Sequence, residues 1–369
     1  MNTTVLRVGR GRLAAHLEET RRAIIAGLRP HALLYATAIA ALLVAFIAAV
    51  HIDRVFEMDM VLLFSLPVFL VIIAAAMSFV VRESFRLWWT GYQGSPIKEV
   101  ARLFVHDALA PQRLANLLHV FIILSVFMSA FNTLKIFLPA MNPFQWDSTF
   151  MEWDKAVHFG VHPYQILQPL LGHPLISFGL NLFYNLWYFV MFSIWIWQAT
   201  AKEDSEVRQR FLVAFMITWF LGTNVLGTIF SSVGPTFYGR LLGGPDPYLP
   251  LMTYLRETTQ VLPLWSLDTQ NLLWESYISG NSMIAGISAM PSMHVGSSVL
   301  LAIVAFAAGK RRLGWCLGIF AVLIFLGSIH LAWHYAIDGY AGIAVALVGW
   351  HVAGRLVRWD RARQGLTED

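Results

Sequence analysis

Pro291-Ser292-Met293-His294 opens an apolar run that reaches about Gly309, and Lys310-Arg311-Arg312 interrupts it. A second run covers 313–330, and from His334-Tyr335-Ala336-Ile337-Asp338 a third continues to about 357. A helix that crosses a bilayer needs about 20 apolar residues, so these runs predict successive spans joined by tight turns. The ionisable residues stand at the edges of the runs, where they are costly to keep near lipid and mark a functional site by default. Two histidines and an aspartate, set where two spans surface on the same side, point to a reaction centre.

The rest of the chain extends the same pattern. Of its 369 residues 57% are hydrophobic and 13% charged, with a mean hydropathy of +0.60; a soluble domain carries about 25% charged residues. Further apolar runs at about 31–51, 60–81, 115–139, 175–199 and 211–231 bring the expected count to eight. The fold class is therefore an all-α polytopic membrane protein with about eight transmembrane helices. The net charge of +4 is no nucleic-acid signal, because the basic residues sit beside the spans. They form five clusters: Arg7 to Arg29, Arg82 to Arg113, Lys202 to Arg210, Lys310 to Arg312, and Arg355 to Arg363. With eight spans all five fall on one side, which the positive-inside rule makes cytoplasmic together with both termini. The first apolar run is long enough to span, so it reads as a retained helix rather than a cleaved signal. Compact loops and the lack of a targeting sequence favour a bacterial inner membrane. Cys316 is the single cysteine, so no intramolecular disulfide forms.

The inner connection from Arg82 to Arg113, broken at Gly94-Ser95-Pro96, divides the chain into two units. Residues 1–112 form an N-terminal cytoplasmic segment, two spans and the inner loop; residues 113–369 form a six-helix core. Two long outer segments, about 140–174 and 232–291, are rich in Trp, Tyr, Pro and Gly, residues suited to the membrane–water interface. Short interfacial helices are expected there, around Trp153–His158 and Met252–Thr259, roofing an outward-facing site. Asp154, Lys155, His158 and His162 in the first segment read as interfacial or gating residues.

The chemistry follows from the placement. On a continuous helix His334 and Asp338, four apart, share a face, and the carboxylate can fix the tautomer of the imidazole and aim its other nitrogen outward. That is the arrangement of an oriented nucleophile, although a purely stabilising hydrogen bond fits the same spacing. Pro291 suits the first turn of a helix, with Ser292 and the neighbouring free amides forming an anion-binding N-terminus; an ordinary capping serine is the alternative. His294, a turn further, is placed as a general acid. Gly234-Pro235-Thr236-Phe237-Tyr238-Gly239-Arg240 follows the fifth span on the same side, so three distant segments converge there, with Tyr238 and Arg240 as candidate substrate contacts.

Pro-Ser-Met-His followed by His-Tyr-Ala-Ile-Asp resembles the type-2 phosphatidic acid phosphatase superfamily, and within it the branch containing inositol phosphorylceramide synthase. The resemblance covers roughly residues 113–358. It implies metal-independent transfer or hydrolysis of a lipid phosphate through a phosphohistidine, without a cofactor. It makes His334 the nucleophile, Asp338 its orienting carboxylate, His294 the acid for the leaving group and Ser292 a phosphate ligand.

Two departures stand out. The phosphatase branch carries a Lys, six residues, then Arg-Pro; here Gly234-Pro235 follows Ser231-Ser232-Val233 with no lysine upstream in that span. The arginine expected six residues before the nucleophile is Ser328. Phosphoryl transfer depends on positive charge around the phosphate oxygens, so another cation must serve; Arg240 is favoured over Arg256 and Lys155. His330 would join His334 and Asp338 in a metal-like stripe only if the helix were unbroken. A turn near 328–333 places it on the preceding helix, where a phosphate-contacting or structural role ranks ahead of a metal. Loss of the clamps favours a diester substrate. The expected activity is head-group transfer from a lipid phosphate ester to a lipid, polyol or other hydroxyl at the outer leaflet. The alternatives are a lipid phosphate phosphatase with water as acceptor, or, from another class, a proton-coupled transporter.

Overall fold

The structure, a computed structural model, describes residues 3–53, 60–202, 205–279 and 286–366; for 3–13 and 60–68 the backbone alone is described. The side chains of Arg7, Arg10 and Arg12, and residues 280–285 of the second outer segment, therefore lie outside the described residues. The fold is all α, with no strand among the described residues. In chain order the helices are α1 (Thr3–Gly27), α2 (Ala32–His51), α3 (Met60–Trp89), α4 (Pro96–Leu103), α5 (Pro111–Met141), α6 (Asp147–Val157), α7 (Pro163–Leu171) and α8 (Pro174–Ala199). They continue with α9 (Glu206–Trp219), α10 (Gly227–Ile229), α11 (Tyr238–Leu242), α12 (Leu249–Thr259), α13 (Trp265–Ser279), α14 (Met293–Ala307), α15 (Arg311–His330) and α16 (Ala336–Gln364).

The chain is a multi-pass membrane protein. The eight apolar runs are mainly helical, and among the described residues six helical segments are long and apolar enough to cross a membrane: α2, α5, α8, Glu206–Ile229, α15 and α16. α14 is a shorter apolar helix of 15 residues, and α3 is the remaining one. Proline begins α5, α7 and α8, where its missing N–H costs no hydrogen bond. Gly365 ends α16 in the left-handed conformation that favours glycine there.

α14 lies at the centre, against α8, α9, α15 and α16. Its approach to α16 depends on small residues: a Cβ on Gly296 would meet the Gly342 carbonyl oxygen at 2.8 Å, and one on Gly342 would run into that of Ser292. Small residues let helix backbones touch in a membrane, where apolar burial alone does not hold helices together. Between α9 and α10 the backbone widens into a π-helix, Phe220–Leu226. Gly222 in this stretch and Gly227 just after it abut Met293 and Ser288, so the widened turn accommodates the segment that leads into α14.

At the basic end, α1 and α2 are tied to the core through buried polar groups. His119 of α5 donates from Nε2 to the Ile24 carbonyl at 2.9 Å and accepts from Tyr35 Oη at 2.9 Å. His31 stacks on it at 4.7 Å and accepts from Arg208 of α9 at 3.0 Å. The opposite end carries α6, α7 and α11 to α13, including the two interfacial helices expected near 153–158 and 252–259.

Candidate active site

Three irregular segments meet beneath these short helices: 231–237, 286–292 and 328–335. Ser328 O accepts from the amides of Trp333 and His334 at 2.9 and 3.0 Å, closing the turn between α15 and α16. Ala332 takes φ +60° in that turn, and its carbonyl accepts from Thr236 N at 2.9 Å. Ser232 O accepts from Ala289 N at 3.0 Å. Gly234 has φ +87°, and any Cβ there would lie 2.7 Å from the Trp333 carbonyl oxygen, so both backbone conformation and space demand glycine.

His334 projects from this junction, two residues ahead of α16, so it does not share a helix face with Asp338 as the spacing predicts. Asp338 is instead the third residue of α16 and reaches back, its Oδ2 accepting from Tyr335 N at 3.0 Å. The same oxygen lies 3.4 Å from His334 Nδ1, while the Ala289 carbonyl lies nearer, at 2.8 Å. With two acceptors facing it, Nδ1 carries the proton and Nε2 presents its lone pair. The orienting group is thus a main-chain carbonyl as much as the carboxylate, a feature without any motif in the sequence.

His294 faces His334 with ring centroids 6.1 Å apart. It sits between Tyr184 and Trp187 of α8, at 4.5 and 4.2 Å. α8 offers a periodic inner face for this purpose: Ser177, Asn181, Tyr184, Trp187, Met191 and Trp195 are all buried. Pro291 precedes the helix rather than occupying its first turn, because Ser292 is the N-cap of α14 and His294 its second residue. Ser292 N donates to the Asp338 carbonyl at 2.8 Å, linking the starts of α14 and α16. Its hydroxyl is fully buried and makes no hydrogen bond among the described residues, so it is not a capping group. Buried polar groups without partners are uncommon.

The other candidates are placed elsewhere. His330 ends α15 and bonds through Nε2 to Ser177 Oγ at 2.8 Å, which in turn meets Tyr254 Oη at 2.7 Å. It is thus on the preceding helix, directed at α8 and α12 rather than alongside His334. Tyr238 packs against Tyr248, whose ring lies 5.8 Å from Tyr335, so it belongs to the roof. Arg240 is exposed, donates to Asn271 at 2.8 Å and lies over Trp274; burial of its stem and nearby Arg256 lower its pKa. None of these contacts joins Arg240 to the two histidines.

Two carboxylates hold the segments together: Asp147, which the sequence reading omits, and Asp154, which it gives only an interfacial or gating part. Asp147, at the start of α6, accepts from Val233 N at 3.0 Å, Gly234 N at 2.9 Å and Tyr335 Oη at 2.9 Å. Asp154, one heptad later, accepts from Ala336 N and Ile337 N at 3.1 Å each and so caps α16 from outside. The signal was available: two aspartates seven apart on one face with Trp146, Phe150 and Trp153. A family model described as the PAP2 superfamily matches residues 148–352. The chain belongs to the PAP2 superfamily. No curated protein and no solved structure matches it. The stretch matched in this PAP2 chain begins inside α6 and includes all three converging segments, which agrees with α6 being part of the site's framework.

Burial pushes both Asp147 and Asp154 up to about 6, against the opposing pull of their backbone donors. A carboxylate with a raised folded-state pKa binds more protons folded than unfolded, so its contribution is full below about 4 and is lost as pH rises through about 6. The difference in thermal midpoint between wild type and Asp154→Asn should therefore shrink or reverse across that window. Two pKa units correspond to about 3 kcal/mol, and paired melts of purified protein at pH 4 and pH 7 measure the change.

Proposed function

We propose that this PAP2-superfamily protein transfers the phosphoryl-bearing head group of a membrane lipid to a hydroxyl acceptor, through a phosphohistidine on His334. The observation that carries this reading is His334 with Nδ1 held by Ala289 O and Asp338, facing His294 across 6.1 Å. His334 Nε2 attacks phosphorus, the N–P bond forms, and the P–O bond to the leaving alcohol breaks as His294 gives that oxygen a proton. In the second half-reaction His294 takes the proton of the acceptor hydroxyl, the new O–P bond forms and the N–P bond breaks. Residues 113–369 are the catalytic core, and residues 1–112 are an N-terminal cytoplasmic segment, two transmembrane helices and the inner loop. The basic clusters support a reading with both termini in the cytoplasm and the site on the outer face, in keeping with the bacterial inner membrane that the compact loops favour.

Mass spectrometry of a mixed lipid extract incubated with the purified protein tests the reading. A new phosphorylated lipid without phosphate release identifies donor and acceptor and establishes transfer. Diacylglycerol or a prenol with free phosphate makes water the acceptor and the protein a phosphatase. No change in any phospholipid, with folded protein and donor classes covering the extract, would sink the enzyme assignment and bring the transporter forward.

A further inference from the structure

A phosphate between His294 and His334 needs a cation, and the arginine favoured from the sequence is engaged with Asn271 and Trp274. A different cation is closer. Lys135 lies in α5, six residues before the end at Met141, about 9 Å along the helix axis at 1.5 Å per residue. Its main chain abuts the segment that forms the site: a Cβ on Gly286 would be 2.6 Å from the Lys135 carbonyl oxygen. Three residues on from Gly286 is Ala289, whose carbonyl holds His334. One turn before Lys135 on the same stripe is Phe131, which packs on Trp219; Trp219 stacks on Trp187, and Trp187 lies against His294. The Lys135 ammonium is within electrostatic reach of His294, and among the described residues it has no ion pair and no hydrogen bond. A half-buried lysine within a membrane span, without a carboxylate partner among the described residues, is costly and marks a binding function. The fully buried, unpartnered Ser292 hydroxyl is a second group awaiting a ligand beside the free amides of α14.

We propose that Lys135 is the phosphate-binding cation of this site, acting from α5 with the Ser292 hydroxyl and the first amides of α14 to hold the non-bridging oxygens. The inference rests on the phosphoryl-transfer reading above. Its test is orthovanadate, a phosphoryl-transfer analogue, titrated against the thermal midpoint of the full-length protein in detergent. Lys135→Met should require about ten- to a hundred-fold more vanadate for the same stabilisation, the loss expected of one charge-assisted contact. Lys135→Arg should retain most of it. Without vanadate the Met variant should melt no lower than wild type, since an unpaired half-buried charge is replaced by an apolar side chain of similar length. Unchanged vanadate response in Lys135→Met would overturn the proposal and leave a lysine that extends to the interface. A lower midpoint without vanadate, with no recovery in Lys135→Arg, would assign it a structural role instead. A wild type that ignores vanadate would reject the phosphoryl-transfer reading itself, a separate failure from the first two.

Discussion

Replacing His334 by alanine should reduce turnover of the lipid donor by about 10⁴-fold or more, the scale seen when a nucleophile that acts as part of a unit is removed. The reason is geometric. His334 Nδ1 is committed to Ala289 O and Asp338 Oδ2, so Nε2 is the only nitrogen free to attack. No other histidine replaces it: His330 is bonded to Ser177, and His294 is held between Tyr184 and Trp187. A radiolabelled phospholipid donor gives a direct check, because phosphohistidine survives alkali and is lost in acid. Wild type should carry such a label and His334→Ala none. His294→Ala should slow both half-reactions by about 10²- to 10⁴-fold, the contribution of one positioned acid–base group, while still accepting label. Label persisting on His334→Ala would move the nucleophile to another residue.

Hydropathy made the helices legible because a bilayer imposes length and apolarity on every span. The eight apolar runs are mainly helical, and the turn at Lys310 and the break before His334 fall close to where charge and polarity place them. The irregularities were not legible. Nothing in Phe220–Leu226 announces a π-helix, since it is set by how Gly222 and Gly227 meet Met293 and Ser288 from another part of the chain. The i and i+4 spacing of His334 and Asp338 predicts a shared helix face, because residues four apart are neighbours on a helix. The backbone instead turns at Ala332 and uses the N-terminal reach of Asp338.

The site residues with a short motif were legible, and those contributed singly by distant elements were not. Ser292, His294, His334 and Asp338 stand in two compact strings, and the fold joins them through the Ser292 N to Asp338 O bond and the facing imidazoles. Arg240 was favoured for being near in sequence to the fifth span, but its guanidinium turns to α13. Lys135 gives no periodic signal, as one lysine in a long apolar run; only the approach of its main chain to Gly286 and its reach to His294 distinguish it from a lysine extending to the interface. Ala289 contributes a carbonyl, and a main-chain atom leaves no trace in residue type.

Asp147→Ala should be the most damaging substitution outside the two histidines, although Asp147 has no direct contact with either ring. Its carboxylate is the common acceptor for Val233 N, Gly234 N and Tyr335 Oη. Alanine would leave these three donors buried beside α6, and each unsatisfied donor costs about 1–3 kcal/mol. Relief of the buried charge offsets about 3 kcal/mol of this, from a carboxyl pushed up to about 6. The remaining loss is about 0–6 kcal/mol, and its upper half would lower the thermal midpoint by several degrees. Activity should fall further than stability accounts for. The flanking Ser232 and Thr236 bond Ala289 N and Ala332 O, Gly234 lies against the Trp333 carbonyl, and Tyr335 adjoins His334, so a loosened junction misplaces the imidazole proposed to attack phosphorus. Asp147→Asn, which keeps one acceptor oxygen, should recover part of both losses. Melting curves and donor turnover on the three proteins decide the matter: an alanine variant that melts and turns over like wild type would mean the segments are held by α14 and α16 packing alone.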